Sequence, residues 1–312
     1  MEITAEIKEK IKQLNDKYAA MGQDINSYLD GLLYADYITY WDYINLDILL
    51  NLQQPKTNIP DEKIFIVYHQ ITELYFKLCL NEFDLLEQDS SFESLKERLK
   101  RINRYFEALT KSFEIMVDGM DQQQFLQFRM SLLPASGFQS AQYRMIEICS
   151  TKLNNLVVKD KRGTFSDKPS IEELKEMFEI IYWRYGATEL STGKKTLTLK
   201  QFEEKYDKQL FDLINRKKDN NVLSVYNQLD EVEKNDKELI GLMRLLDLNV
   251  NVKWPLMHYK SAVRYLQKDP VDIAATGGTN WQKYLPPRFQ LRVFYPALWS
   301  SEEKESWGKT KL

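Results

Sequence analysis

Residues 61–77 read DEKIFIVYHQITELYFK, with apolar side chains at Ile64, Val67, Tyr68, Ile71, Leu74, Tyr75 and, just beyond, Leu78. Spacings of three and four are the period of an amphipathic helix, so the stretch predicts a helix with this stripe against a core. His69 lies off the stripe, on a row shared with Phe65, Glu73 and Phe76. The helix can thus bury one face and turn an aromatic-flanked imidazole towards something else. His69 and His258 are the only two histidines in 312 residues. A lone histidine in such a helix is more often a core residue bonded to a backbone group, so the rest of the chain decides its weight.

The helical period continues on both sides. Residues 2–20 predict a polar amphipathic helix and 27–37 a short one. Over 39–53, Tyr40, Tyr43, Ile44, Asp47 and Ile48 recur at helical spacing, which reads Tyr40, Tyr43 and Ile44 as a core stripe. Ser90 and Glu93 form a capping-box pattern opening a helix through Met116, with Gly119 at its end. Residues 121–133 place Phe125 and Arg129 one turn apart, and 156–169 break the pattern as a surface loop. Ser170 with Glu173 starts a helix through Tyr185, and Thr198 with Gln201 caps another to Lys217. Residues 221–246 and 251–268 predict two more, the second holding Trp254 and His258 four residues apart. No stretch reads convincingly as a strand, and 11 glycines and 9 prolines are few for a turn-rich chain. The expected fold is all-α. Its expected organisation is 1–155 as an N-terminal arm and the first part of a helical body, 156–217 as a small helical insertion, and 218–312 as the second part and tail.

Apolar residues make up 43% of the chain, enough for a sizeable core. A net charge of −3 with interspersed signs is no nucleic-acid footprint. No run approaches the roughly 20 apolar residues of a membrane span. The opening MEITAEIKEKIKQLNDKYAAM has no apolar signal region, so a cytoplasmic protein without membrane partners is expected. Cys79 and Cys149 sit in helical apolar patterns and read as reduced core thiols. Metal and hydrolase signatures are missing: Ile66 and Pro255 stand three residues before the histidines, where a di-iron bundle needs glutamate. SGF at 136–138 is not a nucleophile elbow, and TGG at 276–278 is not a phosphate loop. What remains is two imidazoles, each with an aromatic residue one turn away. They are either core histidines or the walls of a haem pocket, in which one neutral imidazole ligates iron between apolar helices.

Four motifs bear on that choice. TYWDYINLDILL at 39–50, FIVYHQITELYFK at 65–77, FLQFRMSLLPASGFQSAQYR at 125–144 and TGG in the loop after His258 together resemble the tryptophan 2,3-dioxygenase family. They come in that family's order, over about 39–148 and 250–299. The resemblance implies an all-α haem domain holding haem b, with Fe2+ in the active state. His258 would be the axial iron ligand, with Trp254 beside it and Ser136 at the haem edge. His69 would be the distal histidine, hydrogen-bonded to the substrate's indole N–H, and Phe65 and Phe125 would line the same pocket. Arg129 would grip the carboxylate and Thr276 the amino-acid end of the substrate. Tyr40, Tyr43 and Ile44 would complete a neighbouring protomer's pocket in a homotetramer. The implied partners are L-tryptophan and O2, and the implied product is N-formylkynurenine. Departures are TGGTN where the family has TGGSSG, a longer loop before Thr276, Phe125 where some members have tyrosine, and Ile44 for leucine. They leave room for a relative acting on another indole, or for a haem or tryptophan sensor without turnover.

Overall fold

Short polar side chains open most of the helices, because the first N–H groups of a helix have no partner within it. In the computed structural model, which describes residues 3–132, 139–188, 194–267 and 286–309, Thr4 caps α1 (Ala5–Ala20) and Asp24 caps α2 (Ile25–Tyr34). One helix was expected over 39–53, but two single turns form, α3 (Tyr40–Tyr43) and α4 (Leu46–Leu50). Asn45 between them has φ 51°, a left-handed conformation that asparagine tolerates and a continuous helix cannot contain. The chain divides into two compact units, residues 1–54 and 55–312. Within the first, only Ile25 is buried among the described residues. Tyr40 (70% exposed), Tyr43 (73%) and Ile44 (36%) are therefore no core stripe, because this unit has almost no core to bury them in.

The second unit is built around α5 (Asp61–Gln88), which packs on α6 (Phe92–Ser112) and α9 (Ala141–Ser150). Between these lie the short α7 (Glu114–Val117) and α8 (Gln122–Phe128). Then come α10 (Ile171–Glu179), α11 (Tyr182–Gly186) and α12 (Leu197–Lys217), with α12 against α9. The chain continues through α13 (Val222–Gln228), α14 (Glu231–Lys234) and α15 (Lys237–Leu248), which packs on α6. A π-helical turn, Asn249–Lys253, leads into α16 (Trp254–Leu266). Among the described residues there are only isolated bridges, such as Val157 with Ile181, and no strand, so the fold is all-α. Nor is any of these helices long and apolar enough to cross a membrane.

The core runs through Phe76, Phe83, Leu95, Leu99, Ile102, Phe106, Phe128 and Ile146. Each such side chain contributes about 1.5–3 kcal/mol by leaving water. On α5 the buried face is Tyr68, Thr72, Phe76, Cys79, Phe83 and Leu86. The stripe expected from spacing is thus only partly right, since Ile71, Leu74 and Leu78 are 39%, 48% and 45% exposed. The helix is apolar on two faces, and period alone cannot say which one the neighbours cover. Both cysteines are buried free thiols, and burial pushes Cys149 up to about 12.

Several helix ends also differ from expectation. Ser91, not Ser90, caps α6, and Thr196, not Thr198, caps α12. The single helix over 221–246 is three, because Asp230 and Asp236 each accept N–H bonds that start a new helix. The helix through Tyr185 breaks at Ile181, whose backbone pairs with Val157. The Ser170–Glu173 capping box forms. The helix expected through Met116 ends at Ser112, a separate turn, α7, runs to Val117, and at Gly119 beyond it a Cβ would collide with the Ile115 carbonyl oxygen.

Candidate active site

α5 and α16 bring the two histidines together from opposite parts of the sequence. His69 Nδ1 lies 2.7 Å from the Phe65 carbonyl oxygen, and His258 Nδ1 lies 2.9 Å from that of Trp254. A carbonyl oxygen can only accept, so each Nδ1 carries the proton and each lone pair sits on Nε2, the opposite edge of the ring. Helical geometry produces this bond in both cases: a side chain reaches back over the turn before it, where the carbonyl four residues earlier is within range.

The two rings differ in their surroundings. His258 is half-buried, with Trp254 4.7 Å and Phe113 4.6 Å away between ring centroids. Burial pushes its imidazole down to about 4, against a smaller opposite pull from the Trp254 bond, and the His69 charge lowers it further. Ring contacts from His69 to Tyr68, Tyr68 to Phe113 and Phe113 to His258 join the two sides. His69 is exposed as a residue, yet the rings of Phe65 and Tyr68 crowd its imidazole. Desolvation holds it below its usual 6.5, opposed by the Phe65 carbonyl and by the carboxylate of Glu73, one turn on. Glu73 is itself held by Gln142 of α9, whose amide donates to its Oε2 at 2.8 Å.

Aromatic rings connect the two sides. Phe65 lies tilted over His69 at 4.1 Å and meets Phe125 at 6.4 Å, and Phe125 meets Tyr265 of α16 at 4.7 Å. Tyr68 lies edge-on to His69 at 6.4 Å and to Phe113 at 5.7 Å. Arg129 begins the 3-10 turn after α8, its N–H bonded to the Phe125 carbonyl. It is 4% exposed, and burial draws its guanidinium below the usual range. A desolvated guanidinium is a strong two-pronged site for a carboxylate.

His69, Phe65, Phe125, Trp254 and His258 thus belong to one cluster of rings, with Arg129 one turn beyond Phe125. Tyr40, Tyr43 and Ile44 belong to the separate N-terminal unit. Ser136 and Thr276 lie outside the described residues. Sequence reading missed Phe113, Tyr68 and Tyr265 as walls of the cluster and Gln142 as the partner of Glu73. Only Glu73 carried a local signal, four residues after His69. Apart from Tyr68 beside His69, the other contacts join segments far apart in the chain. The cluster offers what a haem iron requires: a neutral imidazole with its lone pair on Nε2, among aromatic rings.

Comparison with known proteins agrees with the motifs. A family model described as Tryptophan 2,3-dioxygenase matches residues 34–238, well over half the chain, including His69 and Arg129 but ending before His258. Tryptophan 2,3-dioxygenase of Herpetosiphon aurantiacus is 29% identical over 84% of this chain and 96% of that protein. The protein of the same name from Ruegeria sp. is 41% identical over 36% of this chain and 42% of the relative. Tryptophan 2,3-dioxygenase 2 of Ralstonia nicotianae is 40% identical over 42% of this chain and 39% of the relative. In these last two matches, less than half of the relative's length is spanned. With the all-α fold and the paired imidazoles of α5 and α16, the match over 34–238 makes this chain a member of the tryptophan 2,3-dioxygenase family.

Proposed function

We propose that the chain is a haem-dependent dioxygenase that opens the indole C2–C3 bond of L-tryptophan with O2, giving N-formylkynurenine. The observation that carries this is a pair of imidazoles, each with Nδ1 tied to its own helix, joined through the rings of Tyr68 and Phe113. His258 would hold haem b, ferrous when active, which would supply the redox centre for dioxygen.

The chain's own residues do the positioning. His69 is neutral with its lone pair on Nε2, so it accepts the indole N–H and needs to take no proton. Phe65 and Phe125 flank the indole plane and keep water from it. Arg129 takes the carboxylate through two parallel charge-assisted bonds, and Thr276 the amino-acid end. Held at both ends, the indole presents C2 and C3 in one orientation, and such alignment is worth orders of magnitude in rate. Trp254 packs beside the His258 ring and fixes its tautomer through its carbonyl, while Ser136 belongs to the haem edge.

We also infer that the chain self-associates as a homotetramer, with Tyr40, Tyr43 and Ile44 completing a neighbour's pocket. The apolar surface of the N-terminal unit and the exposed Ile71, Leu74 and Leu78 of α5 support this, because monomers rarely leave so much apolar area in water. Residues 156–217 are proposed as a helical insertion on the haem-binding body. The test is incubation of the haem-loaded, reduced protein with L-tryptophan and isotopically labelled O2. Mass spectrometry should find N-formylkynurenine carrying both labelled atoms. Haem binding without product, or product only from another indole in a panel, would overturn the assignment.

A further inference from the structure

The segment that delivers His258 is built in an unusual way. A π-helical turn, Asn249–Lys253, separates α15 from α16 and ends one residue before Trp254, whose carbonyl holds the His258 ring. A π-turn places one extra residue in the helical ladder, which rotates everything after it by roughly 100° compared with an unbroken helix. The direction in which His258 projects therefore depends on that turn surviving.

Buried polar side chains hold it from several elements. Lys253 Nζ donates to Asn249 Oδ1 at 3.0 Å, and Asn249 Nδ2 donates to Asn103 Oδ1 of α6, also at 3.0 Å. Asn103 Nδ2 in turn donates to the Leu242 carbonyl of α15 at 2.9 Å. Asn103 is 3% exposed and Asn249 is fully buried. The Tyr143 hydroxyl of α9 donates to the Val250 carbonyl inside the turn at 2.7 Å. Asn251 donates to Asp247 at 2.8 Å, and Asp247 also accepts the N–H groups of Phe294, Tyr295 and the Trp299 indole. Apolar side chains would pack such a site at less cost, because each buried amide needs every bond it makes. What the amides provide, and apolar packing does not, is a single permitted geometry.

We propose that Asn103, Asn249 and Lys253 are positioning residues that hold the π-turn open and so aim the His258 imidazole. This rests on the reading of His258 as the iron ligand. Asn249 is the pivot, since it bonds both to α6 and to Lys253 at the end of the turn. Without it the turn relaxes towards ordinary α-helix and the His258 ring rotates away from its ligating direction.

The test uses full-length, haem-loaded, dithionite-reduced protein as wild type, Asn249→Leu, Lys253→Met and the Asn103→Leu/Asn249→Leu double variant. Two readouts are taken besides activity: the iron–histidine stretching band in resonance Raman, and the rate of haem loss to excess apomyoglobin. Asn249→Leu should shift the band and speed haem loss on the order of tenfold, the cost typical of groups that orient a metal ligand. Lys253→Met should move both in the same direction by less. The double variant should lose haem no faster than Asn249→Leu, because one missing link already breaks the relay. An unshifted band in Asn249→Leu, or a lowered melting temperature with band and haem loss unchanged, would overturn the proposal. If Asn249→Leu does not fold, an unshifted band in Lys253→Met, whose side chain is only part-buried, would overturn it. A wild type without any iron–histidine band would instead refute the proposed function, and this inference with it.

Discussion

The two histidines make the same backbone bond from the same helical position, yet their surroundings are opposite. His258 is packed between Trp254 and Phe113 on a helix whose start is pinned by buried amides. His69 is exposed, with one aromatic ring tilted over it and a carboxylate one turn away. A ligand to a metal needs a fixed direction and an uncharged ring, and the α16 side provides both. A residue that meets a substrate has to remain reachable, and the α5 side does that. On the proposed function, that difference divides the labour of the site.

The largest test of that division is removal of each ring in turn. His258→Ala should lose stable haem, whereas His69→Ala should retain it, read as haem per protein in purified samples. Equal haem content in the two variants would erase the distinction. A smaller effect is expected from Arg129→Ala, which removes the proposed carboxylate partner and leaves the rings. L-tryptophan binding should weaken by about 10- to 100-fold, the usual worth of charge-assisted bonds, while tryptamine, which has no carboxylate, should bind nearly as before. An equal loss for both ligands would point to damaged packing instead.

The smallest effect concerns pH in the haem-free protein. His258 titrates at about 4 in the folded chain and at its usual 6.5 unfolded, so the unfolded state takes the proton first and stability falls as pH drops through that window. Asp247 works in the other direction. Burial raises it to about 6 from 3.8, so the folded state takes its proton first and gains stability as pH falls across almost the same range. Urea midpoints measured from pH 7 to 4 should therefore fall more steeply in Asp247→Asn than in wild type, and less steeply in His258→Ala. Parallel curves for all three would show that neither group is desolvated as described.

Much of the fold was legible because helix formation is local. Period, scarce glycine and capping side chains identify the all-α class and many of the segments, and the Ser170–Glu173 box forms as read. What could not be read depends on neighbours distant in sequence. Ile71, Leu74 and Leu78 keep a perfect helical rhythm yet stay exposed, since rhythm does not reveal which apolar face is covered. The helix breaks at Asn45 and Asp230 turn on single residues whose alternatives to helix are nearly as stable. His69 and His258 were noticed through scarcity and motif, and the structure adds that the rings of Tyr68 and Phe113 join them. Phe113 beside His258, and the π-turn in NVNVK, left no trace in the sequence, because a π-turn is held by side chains from α6 and α9.

On the proposed function, the imidazoles of α5 and α16 form a haem site that receives tryptophan. Anaerobic absorption spectroscopy of the dithionite-reduced, haem-reconstituted protein, with and without L-tryptophan, tests it most directly. The expected result is a histidine-ligated ferrous haem spectrum that shifts when tryptophan is added, followed by N-formylkynurenine absorbance when air is admitted. A protein that stays colourless after reconstitution, or a haem spectrum indifferent to tryptophan, would contradict it.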